Sequence, residues 1–76
     1  MLRNMRAERV RAGMTAAQAA KVIGVSTNAL LKWERGDASP MASNLMKLCH
    51  LYSCSAEYLI GMTDDRTEAA VKQVGD

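Results

Sequence analysis

A chain of 76 residues amounts to one domain, and at that size it buries only ~60% of its unfolded surface, which excludes a deep substrate cavity beside a core. Phe is absent and Ala and Met are plentiful, so the interior is aliphatic and helix is favoured over strand. The net charge of +2 conceals a division: residues 1–36 carry seven Lys and Arg against two Glu, 7 − 2 = +5, and residues 37–76 carry 3 − 6 = −3, which points to a polyanion facing the first half.

In chain order, the three- and four-residue spacing of Leu2, Met5, the stem of Arg9 and Ala12 predicts a first helix over about 2–12, stopped by Gly13. Thr15 is the N-cap of a second helix that runs AAQAAKVI to residue 23, with Gly24 as its left-handed stop. Ser26 caps a third helix over 27–35. Its Leu30 and Trp33 share one face, and Thr27, Asn28, Leu31 and Lys32 share the opposite, exposed one. Gly36 ends this helix, and Asp37-Ala38-Ser39-Pro40 is a turn leading into a fourth helix over about 41–52, with Leu45, Leu48, Cys49 and Tyr52 as its buried stripe. Ser55 caps a short fifth helix through about residue 60, stopped by Gly61. Residues 62–76 are expected to form a tail, with either a weak helix over 67–74 or a frayed end. The expected architecture is all-α with five helices.

The informative constellation is the second helix, the turn Gly24-Val25-Ser26, and the third helix with its polar outer face. Two helices joined by a tight glycine-containing turn make a helix-turn-helix unit, and the major groove of DNA is wide enough to admit one α-helix. The run from Gly13 to Gly61, with Arg9, Thr15, Ala20, Gly24, Ser26, Trp33-Glu34-Arg35-Gly36, Pro40, Leu45, Leu48 and Tyr58-Leu59, resembles the phage-repressor/Cro family of helix-turn-helix domains, also called the xenobiotic-response-element type. The resemblance covers about residues 2–61 and implies a lambda-repressor-like DNA-binding domain over 1–61. The closing YLIGMTDD is similar to the end of short phage or mobile-element repressors.

Position by position, the resemblance implies that Thr27, Asn28, Leu31 and Lys32 face base edges. Asn can bond adenine through N6 and N7, Lys can donate to guanine, and Leu31 and the Thr27 methyl can meet a thymine methyl. It implies phosphate contacts for Thr15, Ser26, Arg35 and Ser39; Arg11 and Lys21 are further basic candidates. Arg9 and Glu34 are implied to form a structural ion pair joining the first helix to the third. Three positions depart from the family's usual residues: Ala19 and Glu8 stand where Leu is frequent, and Ser53 where Gly is common. Met5 and Met14 are candidates to fill the space that Ala19 leaves.

Other chemistries find little support. Cys49 and Cys54 lack the second pair of a zinc site and read as small buried apolar residues. With one His, no paired carboxylates on a common face and no phosphate-cradling loop, no catalytic set, metal site or cofactor is expected. No run of ~18 apolar residues and no signal-peptide-like start occur, so a cytoplasmic location and no membrane partner are expected. The expected partner is a double-stranded operator, bound by a homodimer whose recognition helices lie ~34 Å apart. Tyr58, Ile60, Met62, Val71 and Val74 are the candidates for its dimer surface. An alternative of a different class is a protein-docking or antitoxin module on the same fold.

Overall fold

Local chemistry decides where each helix starts. In the computed structural model, which describes residues 3–66, the side chain of Thr15 accepts from the Gln18 N–H at 3.1 Å and Gln18 Oε1 accepts from the Thr15 N–H at 2.9 Å. This reciprocal pair is a capping box, which satisfies two backbone donors at once. Ser26 accepts from Ala29 N–H at 3.0 Å and Ser55 from Tyr58 N–H at 3.1 Å in the same manner. The resulting elements are α1 Arg3–Arg11, α2 Ala16–Ile23, α3 Thr27–Arg35, α4 Ala42–Tyr52 and α5 Ala56–Leu59, with no strand among the described residues.

The stops are equally local. Gly24 lies at φ 89°, ψ 32°, and its N–H bonds the Ala20 carbonyl at 2.8 Å. Ser53 takes the same left-handed role after α4 at φ 54°, ψ 52°, although it carries a side chain that disfavours it. The Cys54 N–H then reaches back to the Cys49 carbonyl at 3.2 Å. That six-residue closure commonly brings its two end side chains together, and both cysteines are buried in the core.

Several boundaries differ slightly from expectation. Helix α1 ends at Arg11, one residue early, and α4 begins at Ala42 with Met41 as a cap that makes no side-chain bond. Helix α5 stops at Leu59, with Ile60 as its C-cap. The buried stripe of α1 is also different. Ala12 is exposed, Met5 and Glu8 are buried, and Asn4 and Arg9 are half-buried. Apolar spacing misjudged this face because its polar side chains have partners: Asn4 Nδ2 donates to the Tyr58 carbonyl at 2.7 Å. Leu2 and the helix expected over 67–74 lie outside the described residues.

Helix α2 packs on α3 and α4, α1 on α3 and α5, and α4 on α5. The shared core is Met5, Ala19, Ala20, Ile23, Leu30, Trp33, Leu48, Cys49, Tyr52, Cys54 and Leu59, with Met14 against its edge. Ala19 and Ala20 are both buried, so the small residues of α2 let it approach its neighbours closely, and Met5 is fully enclosed. After α5 the chain folds back on the domain: the Ser55 N–H donates to the Arg66 carbonyl at 3.2 Å.

The two left-handed positions give opposite expectations. Ser53→Gly removes the steric penalty of a β-carbon and raises stability by roughly 0.5–1 kcal/mol. A β-carbon at Gly24 meets nothing within 4 Å, so Gly24→Ala costs only the backbone strain, about 1–2 kcal/mol. Urea midpoints at constant slope measure both.

Candidate nucleic-acid interface

Helix α3 is amphipathic in a specific way. Leu30, Trp33 and Glu34 are buried, and Thr27, Asn28, Lys32 and Arg35 are exposed. With 3.6 residues per turn, those four exposed side chains fall within an arc of about 140°. Leu31, expected on the exposed face, is instead half-buried. By helical geometry it still lies inside that arc, about 40° from both Thr27 and Arg35, so its partial burial comes from its neighbours and not from its place around the axis.

The rotation of α3 about its own axis is set by the packing of Leu30 and Trp33 together with one directional contact. Arg9 of α1 donates from Nε to Glu34 Oε2 at 2.7 Å and from Nη2 to Oε1 at 3.0 Å. Its Nη1 donates to the Met14 carbonyl at 3.2 Å, so three nitrogens of one guanidinium are engaged. A two-pronged pair has far narrower geometric freedom than a point contact, and with Glu34 only 4% exposed it is poorly screened. The structure thus brings Arg9 and Glu34 together. It also turns the polar side of α3 outward.

Helix α2 lies behind this face and presents its own N-terminus. Thr15, Gln18 and Lys21 are exposed. The Thr15 and Ser26 oxygens accept cap bonds, and each hydroxyl retains a proton to give to an acceptor such as a phosphate. Free backbone N–H groups and the positive end of the helix dipole favour an anion at such a terminus. The turn between α2 and α3 is closed by Gly24 N–H and Val25 N–H, both donating to the Ala20 carbonyl.

The charges divide into committed and available. Among the described residues, Lys21 and Lys32 make no ion pair. Arg35 shares its guanidinium with Asp37 at 3.0 Å, both exposed, a pairing with little energy of its own. Arg11 is mostly exposed and reaches Glu8 only at 3.9 Å. Ser39 is exposed in the loop between α3 and α4. Among the described residues no three His, Cys, Asp or Glu side chains gather to hold a metal, and no helix is long and apolar enough to cross a membrane.

Two features escaped the sequence reading. Gln18 stands three residues after Thr15, the spacing of a capping box, and that signal was available. The second is a buried carboxylate. Glu8, 4% exposed, accepts from Arg66 Nε at 3.1 Å and Nη2 at 2.8 Å and from the Tyr58 hydroxyl at 3.2 Å. The hydrogen bond from Arg66 holds its carboxyl below the usual glutamate value against the opposing effect of burial. Only the oddness of Glu8 itself was visible, since its partner lies 58 positions away.

Comparison with known proteins is consistent with this geometry. A family model described as helix-turn-helix matches residues 5–59. The chain is 36% identical over 56 residues to repressor protein C2 of Salmonella phage P22, a match covering 74% of this chain and 26% of that one. It is 34% identical over 59 residues to the HTH-type transcriptional regulator ImmR of Bacillus subtilis strain 168, covering 78% and 46% respectively. The chain therefore spans about a quarter to a half of the length of these curated relatives. A crystal structure of the P22 c2 repressor in complex with synthetic operator 9T, in the presence of thallium ions, matches with a TM-score of 0.72 at 34% identity, covering 78% of this chain and 89% of that chain.

Because Arg9 is left with an unanswered, poorly solvated charge when its partner is neutralised, Glu34→Gln is expected to cost about 3–5 kcal/mol of stability. Guanidinium unfolding followed by circular dichroism measures it; a loss under about 1 kcal/mol would reduce the pair to a surface ion pair.

Proposed function

The chain belongs to the helix-turn-helix family of Cro/C1 type, and we propose that it is a sequence-specific DNA-binding transcriptional repressor that lays α3 in the major groove of a pseudo-palindromic operator. The family is one of DNA-binding regulators rather than of enzymes. The observation that carries the proposal is the outward face of α3: Thr27, Asn28 and Lys32 are all exposed, with the helix locked by Arg9–Glu34 behind them. A rigidly held helix with hydrogen-bonding side chains on one arc is what base reading needs.

Within that reading, Asn28 addresses adenine, Lys32 guanine, and the Thr27 methyl thymine. Leu31 contributes from within the face, through the part of its side chain that packing leaves open. Thr15, Ser26, Arg35 and Ser39 bind phosphates and set the register, with Arg11 and Lys21 adding charge. Residues 1–61 form the DNA-binding unit, followed by the segment that folds back as far as Arg66.

One module of this size makes few base contacts, so a homodimer on two half-sites supplies the affinity. Ile60 and Met62 are exposed apolar residues suited to such a contact. Tyr58 is half-buried with its hydroxyl on Glu8, so only part of it is available, and Val71 and Val74 lie outside the described residues. A cytoplasmic location follows from the proposed role.

Selection of bound sequences from a random duplex pool tests the reading. The expected result is a palindromic motif, with Asn28→Ala and Lys32→Ala each losing discrimination at one or two positions per half-site, worth ~1–3 kcal/mol per contact. Binding no tighter than to bulk DNA, or a tight complex with another protein that is indifferent to salt, would move the weight to a protein-docking module.

A further inference from the structure

Glu8 and Arg9 are adjacent in α1, yet they reach different parts of the molecule. Arg9 grips Glu34 in α3, and Glu8 is gripped by Arg66, seven residues beyond the end of α5. Arg66 bonds both oxygens of the Glu8 carboxylate, and its Nη2 also donates to the Tyr52 carbonyl at 3.1 Å. Tyr52 belongs to both groups of contacts. Its hydroxyl is buried in the core with no hydrogen-bonding partner among the described residues, in the fields of Glu34 and Arg9, and its ionisation is pushed up to about 12, chiefly by burial.

Two consequences follow from ordinary electrostatics. Once its guanidinium partner is gone, the enclosed Glu8 carboxylate keeps only the Tyr58 hydroxyl at 3.2 Å and Arg11 at 3.9 Å, and its charge is under-solvated. Relief comes by protonation, by water entering the space that Arg66 leaves, or by outward movement of α1, and the last is the route that reaches α3. Arg9 moves with the same helix, and among the described residues it is the only side chain that bonds Glu34.

We propose that Arg66 is a positioning residue for the recognition helix, acting through Glu8 and the body of α1 on the Arg9–Glu34 bond. The segment after α5 is then a working part of the DNA-reading unit: a change that loosens it retunes α3 more than 25 positions earlier in the chain. The affinity side of this inference rests on the operator-binding role proposed above; the coupling of Arg66 to α3 does not.

The test uses the full chain with Arg66→Gln, Arg66→Lys and Asp64→Glu, at a temperature where circular dichroism shows each fully folded. Trp33, the single tryptophan, lies on the buried edge of α3, so acrylamide quenching of its fluorescence reports the seating of that helix without DNA. Arg66→Gln is expected to raise the quenching constant and weaken binding to the duplex selected for the parent chain by roughly 2- to 30-fold. Arg66→Lys, which keeps the charge but not the two-pronged bond, gives smaller changes of the same sign, and Asp64→Glu gives none. Should Arg66→Gln fail to fold, Arg66→Lys carries the same comparison. Variants that melt lower but keep parental quenching and affinity while folded would overturn the proposal, leaving Arg66 a stabilising clasp. If the parent chain selects no duplex, the operator reading fails and the quenching series alone decides the coupling.

Discussion

The bond between Arg9 and Glu34 is the constraint on which the arrangement depends. Apolar packing of Leu30 and Trp33 sets the seat of α3, but hydrophobic burial has no directional term of its own to hold the helix to a fraction of an ångström. Base reading does not tolerate such freedom, since a misplacement of about 1 Å breaks a bidentate hydrogen bond. The guanidinium of Arg9 removes it by holding both Glu34 oxygens, at 2.7 and 3.0 Å, and the Met14 carbonyl together. Burying these charges is unfavourable in itself. The arrangement is therefore better understood as specifying the orientation of α3 than as a source of net stability.

Around that bond, the molecule divides its labour by chemistry. Small side chains on α2 let the first helix of the motif lie close to its neighbours, in one core with Met5 and Leu30. Side-chain caps at Thr15, Ser26 and Ser55 fix where three helices begin. Thr15 and Ser26 stand at the starts of α2 and α3, so the hydroxyls that cap those helices are also the ones to which the proposed function assigns phosphate contacts. Helix α1 carries an unusual load for a short element: Asn4, Glu8 and Arg9 each bond a different partner, in α5, the returning segment and α3.

Much of this was legible in the residues. The α2–turn–α3 unit shows in Thr15, Gly24, Ser26 and Gly36, because caps and left-handed stops are properties of individual residue types at fixed offsets. Trp33 and the buried cysteines followed from helical spacing and from the absence of a ligand set. Illegible features depended on contacts distant in sequence. Glu8 looked like a misplaced polar residue until Arg66 was found beside it, and Ala12 looked apolar and inward until α1 ended before it. Leu31 shows the limit of a helical wheel, which places it among exposed residues but does not say how far neighbouring side chains cover it. The DNA-facing roles of Asn28 and Lys32 came from resemblance; exposure and helix orientation support them.

The central claim is that the outward arc of α3 and the N-terminus of α2 form the surface that meets DNA. Titration of the isotopically labelled chain with its selected duplex, followed by amide chemical shifts in the NMR spectrum, tests it most directly. The largest shifts are expected at Thr15, Thr27, Asn28 and Lys32, with secondary ones around Tyr58 and Ile60 where the proposed dimer contact forms. Shifts concentrated on α5 and the residues that follow it, with α3 unmoved, would contradict the claim.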